Sequence, residues 1–400
     1  MLGNLLMLVE GKSMTDLAII TSHPIQYYAP WFRYLNQSSG LKIKVFYLWD
    51  FGVKQQQDLE FKAGIQWDIP LLDGYEYVFV PNISKKPTTK RLWGLNNPAL
   101  KESVLASGAK SVLMMNYNYI SSYRFLLQWS QQKTPLLFRG DSHILQVPQG
   151  IKPFLKRQWI SRVYQQFDAC LYVGQSNRRY FQYHGVSAEN LFFSPHAVDN
   201  DRFTQSATQA HDDSRHWKHV LGIPPHHQVI LFTGKLIEKK RPQDLLAVFA
   251  RSQFKNVSLL FVGSGPLETL LRERAKGIKH VYFAPFQNQS EMPRTYAIAS
   301  VVVLPSYGSA ETWGLTINEA MCMGKPVIVS DHVGCAADLV RDNGWVFSAG
   351  QQDDLADCLT QALDAPTVLA KKGQHSRQLI EKHSYQQTTK GLLQALKYCL

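Results

Sequence analysis

The sequence predicts an α/β protein of two doubly wound parallel-sheet domains facing each other across a cleft, and three observations carry that expectation. Short apolar runs alternate with helical patterns along the whole chain, which implies parallel sheets covered on both faces. The alternation is interrupted once, by the polar stretch TQSATQAHDDSR at Thr204–Arg215, and then restarts. At 400 residues the chain exceeds the size at which a single core keeps growing, so two domains are the default.

In the first half, LAIITS, KIKVFYLW, YEYVFV, SVLMMNY, PLLFRG, ACLYVG and LFFSPHAV read as strands. Helical patterns such as YAPWFRYLN, ALKESVLAS, YRFLLQWSQQ and NRRYFQYHG lie between them. Thr204–Arg215 lacks an apolar period and is expected to be the interdomain linker, with the boundary near Asp199–Phe203. The second half repeats the pattern in QVILFTG, VSLLFVGSG, HVYFAPF, VVVLPS, PVIVSD and GWVFSAG, with helices at DLLAVFARS, LETLLRERAKG, PRTYAIAS and LADCLTQAL. Ligands of such folds sit at the carboxyl ends of the strands, so the cleft is the place to look for a site.

Composition narrows the class. With 45% hydrophobic and 18% charged residues the chain is expected to be ordered. Five cysteines, an odd number without metal-ligand spacing, fit reduced thiols in a cytoplasm. No run of eighteen apolar residues is present to span a bilayer. The leader Met1–Ser13 has no positive charges ahead of its apolar patch, against a signal peptide, and Met14 is a candidate start. A net charge of +12 raises nucleic acid as a partner, but the basic residues are scattered and no base-reading signature accompanies them, so nucleic acid is not expected. They are densest in Lys85–Arg91 and in Ile151–Gln166. In the latter Phe154, Leu155, Trp159, Ile160 and Val163 form one face and Lys152, Lys156, Arg157 and Arg162 another. Such a helix either lies on an anionic membrane or packs on the sheet with its charges in water.

The most informative stretch is LPSYGSAETWGLTINEAMCMGKPVIVSD, Leu304–Asp331. A strand ends in turn residues, and a helix then opens at Gly314 with Leu315, Ile317, Ala320 and Met321 on one stripe. The free amides at its start make an anion site. Glu311 and Glu319 bracket that start, so that a phosphate can sit between two acids that meet hydroxyls. In FTGKLIEKKRPQDLL, Gly234 and Lys235 end a strand and Lys239, Lys240 and Arg241 follow on the loop, supplying positive charge for a polyphosphate.

Together these strings resemble the signature of glycosyltransferase family 4, retaining sugar transferases of group 1 type with the GT-B fold, in which two Rossmann-like domains face across a cleft. The resemblance implies transfer of a sugar, of hexosyltransferase type, from a nucleoside-diphosphate donor to a sugar or lipid-linked acceptor, in surface polysaccharide or glycolipid synthesis. It implies no cofactor beyond the nucleotide sugar as co-substrate and no metal. Glu311 would contact the transferred sugar, Gly314 and Leu315 with the adjoining Thr312 and Trp313 the donor, and Glu319 the ribose hydroxyls. Lys235 and Lys240, beside Gly234, would stabilise the leaving diphosphate; Lys235 stands where the family usually has arginine. Phe286 and Gln287 fall where the family holds the base. His23 and Gln26, in TSHPIQYYAP, replace the glycine-rich loop common after the first strand and belong to the acceptor side. In FRGDSHIL, Arg139, Asp141 and His143 are candidates for the place beside the sugar, with His143 first.

By the same likeness residues 1–200 form the acceptor domain, 201–375 the donor domain, and 376–400 cross back to the first domain. Asp199-Asn200-Asp201 imitates an acidic metal motif but begins a turn in this family, and Gly263–Glu268 is a tight strand-to-helix turn rather than a dinucleotide fingerprint. The protein would work in the cytoplasm, with its first domain at the inner face of a membrane. The alternatives are a nucleotide-sugar 2-epimerase of the same architecture, which needs no acceptor, and a basic polyanion-binding protein without enzymatic activity.

Overall fold

The computed structural model describes residues 15–53, 56–58, 63–147 and 149–400, so the leader and Met14 lie outside the described residues. The first domain is built on a seven-stranded parallel sheet in the order β5-β2-β1-β6-β7-β8-β9. Its strands are β1 (Leu17–Thr21), β2 (Ile43–Tyr47), β5 (Glu76–Phe79), β6 (Ser111–Met114), β7 (Leu136–Gly140), β8 (Ala169–Tyr172) and β9 (Leu191–Phe193). Every residue of β1 and β6 is buried, as expected of strands covered on both faces, and each face carries its own apolar cluster. A short antiparallel hairpin, β3 (Gln56–Asp58) and β4 (Ala63–Ile65), stands outside the sheet.

The second domain repeats the plan with six parallel strands in the order β12-β11-β10-β13-β14-β15. These are β10 (Gln228–Thr233), β11 (Val257–Val262), β12 (Val281–Ala284), β13 (Val301–Leu304), β14 (Val327–Ser330) and β15 (Gly344–Phe347). All thirteen apolar runs of the sequence are strands of these two sheets, and both sheets reverse order beside their first strand, β1 and β10. The loops that follow the strands at that end of each sheet face one another.

Thr204–Arg215 is not an irregular linker. Helices Asn200–Gln205 and Ala207–Val220 occupy it, and the second packs on helix Met292–Ala297 of the second domain. Only Ala210, Ser214 and Trp217 of that helix are buried, a narrow stripe at helical spacing whose small and polar members hide the period. The chain returns to the first domain after helix Pro366–Ile380, because helix Tyr385–Cys399 packs on β8, β9 and helix Ala29–Ser38. Trp31 Nε1 donates to Thr389 Oγ1 at 3.1 Å and Thr388 Oγ1 to the Pro195 carbonyl at 2.8 Å, anchoring it there.

The domains share an apolar seam. Val173 and Val198 of the first cluster with Trp313, Val333 and Leu339 of the second. Gly174 lies so close to the second domain that a Cβ there would sit 2.4 Å from the Trp313 ring. Directly after it, the Gln175 amide at the start of helix Gln175–Tyr183 donates to both carboxylate oxygens of Asp338, at 3.1 and 3.0 Å. A carboxylate from one domain thus caps a helix of the other and complements its dipole.

Candidate active site

The cleft is organised around helix Leu315–Cys322, which follows β13 through the loop 305–314. Its N-cap, Gly314, has φ 97° and ψ 60°, a left-handed conformation that glycine adopts without strain. A side chain there would also press on Leu304 and Val333, each 2.9 Å from an added Cβ. This turn aims the first amides of the helix, which have no intrahelical acceptor, into the cleft.

Glu311 sits in the loop before the helix with its carboxylate buried. Lys240 Nζ donates to its Oε2 at 2.8 Å and Ser306 Oγ to the same oxygen at 3.1 Å. Burial acts to raise the Glu311 pKa, but the Lys240 charge and hydrogen bond more than offset it and hold the acid below its ordinary range. Lys239 Nζ donates to the Ala310 carbonyl at 3.1 Å, so both loop lysines clasp the same segment. Lys235 lies with Gly234 in the wall of the same region.

Glu319, one turn inside the helix, is shifted in the opposite direction. It is only 2% exposed, and burial raises its pKa despite the hydrogen bond from Tyr296 Oη at 2.6 Å and the nearby Arg202 charge. Its Oε1 takes no hydrogen bond of normal geometry among the described residues. A buried acceptor left in this way is free to take a hydrogen bond from a hydroxyl donor.

Two adjoining cavities each hold one of these acids. One, of about 390 Å³, is lined by Glu319, Gly234, Lys235, Phe286, Gln287 and the first-domain residues His23, Gln26 and Trp67. The other, of about 300 Å³, is lined by Glu311, Thr312, Trp313, Gly314, Leu315 and Asp141. Tyr27, Lys239, Lys240 and Thr316 line both. A molecule long enough to occupy the pair must therefore pass the loop lysines and the helix start.

The structure brings most of the sequence-predicted residues together here. Phe286 meets Trp67 edge-on across the cleft with centroids 6.1 Å apart, and Gln287 is fixed by Arg294, which donates to its Oε1 at 2.8 Å. His23 bonds Ser22 through Nδ1 at 2.9 Å and packs edge-on against Trp49 and Phe51, and burial lowers its pKa to about 4, so it is neutral near pH 7. Asp141 accepts from Thr312 Oγ1 at 2.8 Å across the domain boundary, and His196 Nε2 lies 3.4 Å from the same oxygen. Burial acts to raise the Asp141 pKa, and these two partners hold it at about 2.

Two of the three candidates in FRGDSHIL are placed differently. Arg139 is buried beneath the cleft, donating to the carbonyls of Ser194 and Pro195 at 3.3 and 3.0 Å and stacking on Tyr28 and Trp31. It holds the chain at the domain crossover instead of facing a ligand. His143 lies behind the Ser309–Thr312 segment, lining a third cavity. Asp199 is the N-cap of helix Asn200–Gln205, accepting from the Arg202 amide at 3.1 Å, which is its structural task. No group of three His, Cys, Asp or Glu able to hold a metal is found among the described residues. None of their helices is long and apolar enough to cross a membrane.

Sequence reasoning missed Tyr27, Tyr296, Ser306, Trp67 and Asp68. Asp68 accepts from the Ser290 amide, and Asn288 Nδ2 donates to the Gln66 carbonyl at 2.8 Å, tying the segment after the hairpin across the mouth of the 390 Å³ cavity. Trp67 and Asp68 carry no local pattern, because their partners Phe286 and Ser290 are more than 200 positions away, whereas Tyr296 and Ser306 lie 23 and 5 positions from the glutamates they bond.

Comparison with known proteins fits this geometry. Residues 213–383 match the family model described as glycosyl transferases group 1. A D-inositol 3-phosphate glycosyltransferase of Rhodococcus erythropolis is 32% identical over 192 residues, 44% of this chain and 42% of that protein. The chain thus spans less than half the length of that curated relative in the match. Among solved structures, sucrose-phosphate synthase from Thermosynechococcus elongatus superposes with a TM-score of 0.71 at 18% identity, over 96% of this chain and 98% of the other. The Anabaena protein HepE, solved with UDP and glucose, does so with a TM-score of 0.71 at 14% identity, over 96% and 100%. The two facing parallel-sheet domains are the GT-B fold.

Proposed function

We propose, from the match of residues 213–383 to the glycosyl transferases group 1 model and from the geometry of the cleft, that the protein transfers a sugar from a nucleoside diphosphate to an acceptor hydroxyl with retention of configuration. The observation that carries this reading is the pair of joined cavities, each holding one glutamate, with Lys240, Thr316 and the helix N-terminus at their junction. The nucleoside lies in the 390 Å³ cavity, its base beside Phe286, Gln287 and Trp67 and its ribose hydroxyls on Glu319 Oε1. The diphosphate rests at the junction, against Lys235, Lys240 and the amides of Leu315 and Thr316. The sugar enters the 300 Å³ cavity, where Glu311 accepts from its hydroxyls. HepE, the neighbour solved with UDP and glucose, supports a donor of this class.

In the reaction the acceptor oxygen bonds to the anomeric carbon on the face from which the phosphate oxygen departs. The acceptor proton passes to that phosphate oxygen, so no protein base is required. Charge grows on the diphosphate as the bond breaks, and preorganised cations and amides in a partly dry cleft stabilise that charge more than they stabilise the ground state. The Lys240–Glu311 pair keeps the acid ionised, and therefore an acceptor of sugar hydroxyl protons, at neutral pH.

Helix Ile151–Tyr164 supports an acceptor at a membrane of anionic lipid. Ile160, Val163 and Tyr164 anchor its last turns, while Ile151, Phe154, Leu155 and Trp159 remain largely exposed beside Lys152 and Lys156. Apolar and basic residues interleave around this helix instead of forming the two separate faces expected from the sequence, so the support lies in the exposed Phe154, Leu155 and Trp159 beside basic residues. We place it on the cytoplasmic leaflet, where the five unpaired cysteines persist as thiols.

Thermal unfolding of the protein with a panel of nucleotide sugars tests this reading. One member of the panel should raise the transition, by about 2.7 kcal/mol of stabilisation at a hundred-fold excess over Kd. That donor incubated alone should keep its configuration at C2, whereas conversion without acceptor would establish an epimerase. No stabilisation by any nucleotide sugar would overturn the proposal.

A further inference from the structure

Behind the Ser309–Thr312 segment lies a separate cavity of about 430 Å³, walled by helix Ile151–Tyr164, Tyr183 and His143 on one side and by Tyr307 and Ser309 on the other. Its lining contains Lys156 and Arg157 and no acidic residue. Arg157 is held in place: Nε donates to the Tyr183 carbonyl at 3.0 Å, and its guanidinium stacks 4.3 Å over the Tyr183 ring. Two lining histidines are almost fully buried, His143 at 7% and His184 at 4% exposure. Neither ring nitrogen of His143, nor Nδ1 of His184, makes a hydrogen bond of normal geometry among the described residues, the backbone of Ser309 and of Arg157 being their nearest partners. Buried polar atoms in that state cost free energy that a polar ligand removes. Two cations, imidazole nitrogens without a hydrogen bond of normal geometry and the absence of carboxylates together select an anion with several oxygens, which is the chemistry of a phosphate group.

The rim of the cavity is apolar. Leu145 lines it at 37% exposure, together with Ile144 and Pro153. We propose that this cavity binds the phosphate of an amphiphilic acceptor, with the apolar part of that molecule lying along Ile144, Leu145 and Pro153. His143 and Ser309 stand in the wall, and the adjoining Ala310, Glu311 and Thr312 line the 300 Å³ cavity, so the phosphate would be held one wall away from the transferred sugar. The acceptor role of the ligand rests on the glycosyl-transfer reading; its binding at this place does not.

Calorimetric titration of the full chain with monomeric dihexanoylphosphatidic acid, dihexanoylphosphatidylcholine and inorganic phosphate tests the proposal without a membrane. The phosphatidic acid should bind at least ten-fold more tightly than either of the others. The double variant Lys156→Ala, Arg157→Ala should lose roughly ten-fold or more of that affinity, and Lys156→Arg with Arg157→Lys should recover much of it. Both residues are exposed, so thermal unfolding of the variants should match the parent and show that the loss is local. Equal binding of the two lipids, or unchanged binding by the alanine pair, would overturn the anion site. Inorganic phosphate binding as tightly as phosphatidic acid would overturn the amphiphilic acceptor. A parallel titration of the parent with UDP separates the two readings: lipid binding without any nucleotide binding would support this cavity while removing the proposed donor reaction.

Discussion

Replacing Lys240 with methionine should unfold the second domain earlier, and by an amount that depends on pH. In the parent protein, Lys240 Nζ and Glu311 Oε2 are 2.8 Å apart with only 13% and 10% of the two side chains exposed. Removing one member of a buried pair leaves the other charge uncompensated, which costs about 3–5 kcal/mol; a pair at a cleft edge belongs at the lower end, about 3 kcal/mol. For a cooperative unit of this domain's size that corresponds to a fall in Tm of about 6–12 °C. The pH dependence follows from the direction of the shift. Glu311 is held below its ordinary pKa in the parent, so its contribution is fully present above the unfolded value and is lost as pH falls through the folded one. In Lys240→Met the burial that opposes ionisation is no longer offset, so the acid takes up a proton and the contribution reverses sign above the unfolded value. The Tm difference should be greatest near pH 7.5 and shrink towards pH 4. Adding Glu311→Gln should restore most of the lost stability, because a neutral amide needs no counter-charge. Scanning calorimetry of the three proteins at four pH values decides it, and an equal Tm deficit at pH 4.5 and pH 7.5 would refute the reasoning.

Three further outcomes follow from the donor assignment. Glu319→Ala should raise the Kd for the donor nucleotide by roughly ten-fold or more while Glu311→Ala chiefly lowers kcat, a split read from binding titration and steady-state kinetics; equal effects on both constants would remove the separate roles. Activity should survive excess chelator and collapse in Lys235→Ala, since side-chain cations and helix amides carry the diphosphate charge; loss on chelation with recovery on adding magnesium or manganese would contradict this. Cosedimentation with anionic vesicles at low salt should exceed that with neutral ones and fall when Lys152→Glu and Phe154→Ser are combined, at roughly 1 kcal/mol per basic residue near the surface; equal partition would return the helix to a purely structural role.

The strands of both sheets could be read from the chain because burial on two faces makes each a continuous apolar run, as in Val301–Leu304 or Val229–Phe232. The hairpin Gln56–Asp58 with Ala63–Ile65 could not, since it joins no sheet and carries no such run. Helix Ala207–Val220 escaped notice because its buried stripe holds one alanine, one serine and one tryptophan. The bracket of Glu311 and Glu319 around a helix start was visible as eight positions of local sequence. The opposite directions of their pKa shifts were not, because one depends on Lys240, 71 positions from Glu311, and the other on burial of Glu319 that only the folded chain creates. Arg139 shows the converse: a charged residue at the end of a strand looked like a site residue, and the returning chain at Ser194 and Pro195 decided otherwise.

The most direct test of the donor site is a crystal structure of the full chain with UDP at saturating concentration. The ribose hydroxyls should lie within hydrogen-bond reach of Glu319 Oε1, the base beside Phe286, Gln287 and Trp67, and the diphosphate against Lys240 and the amides of Leu315 and Thr316, with the terminal phosphate directed towards the cavity that holds Glu311. Nucleotide bound elsewhere in the molecule, or an empty cleft under conditions where calorimetry shows binding, would contradict this placement.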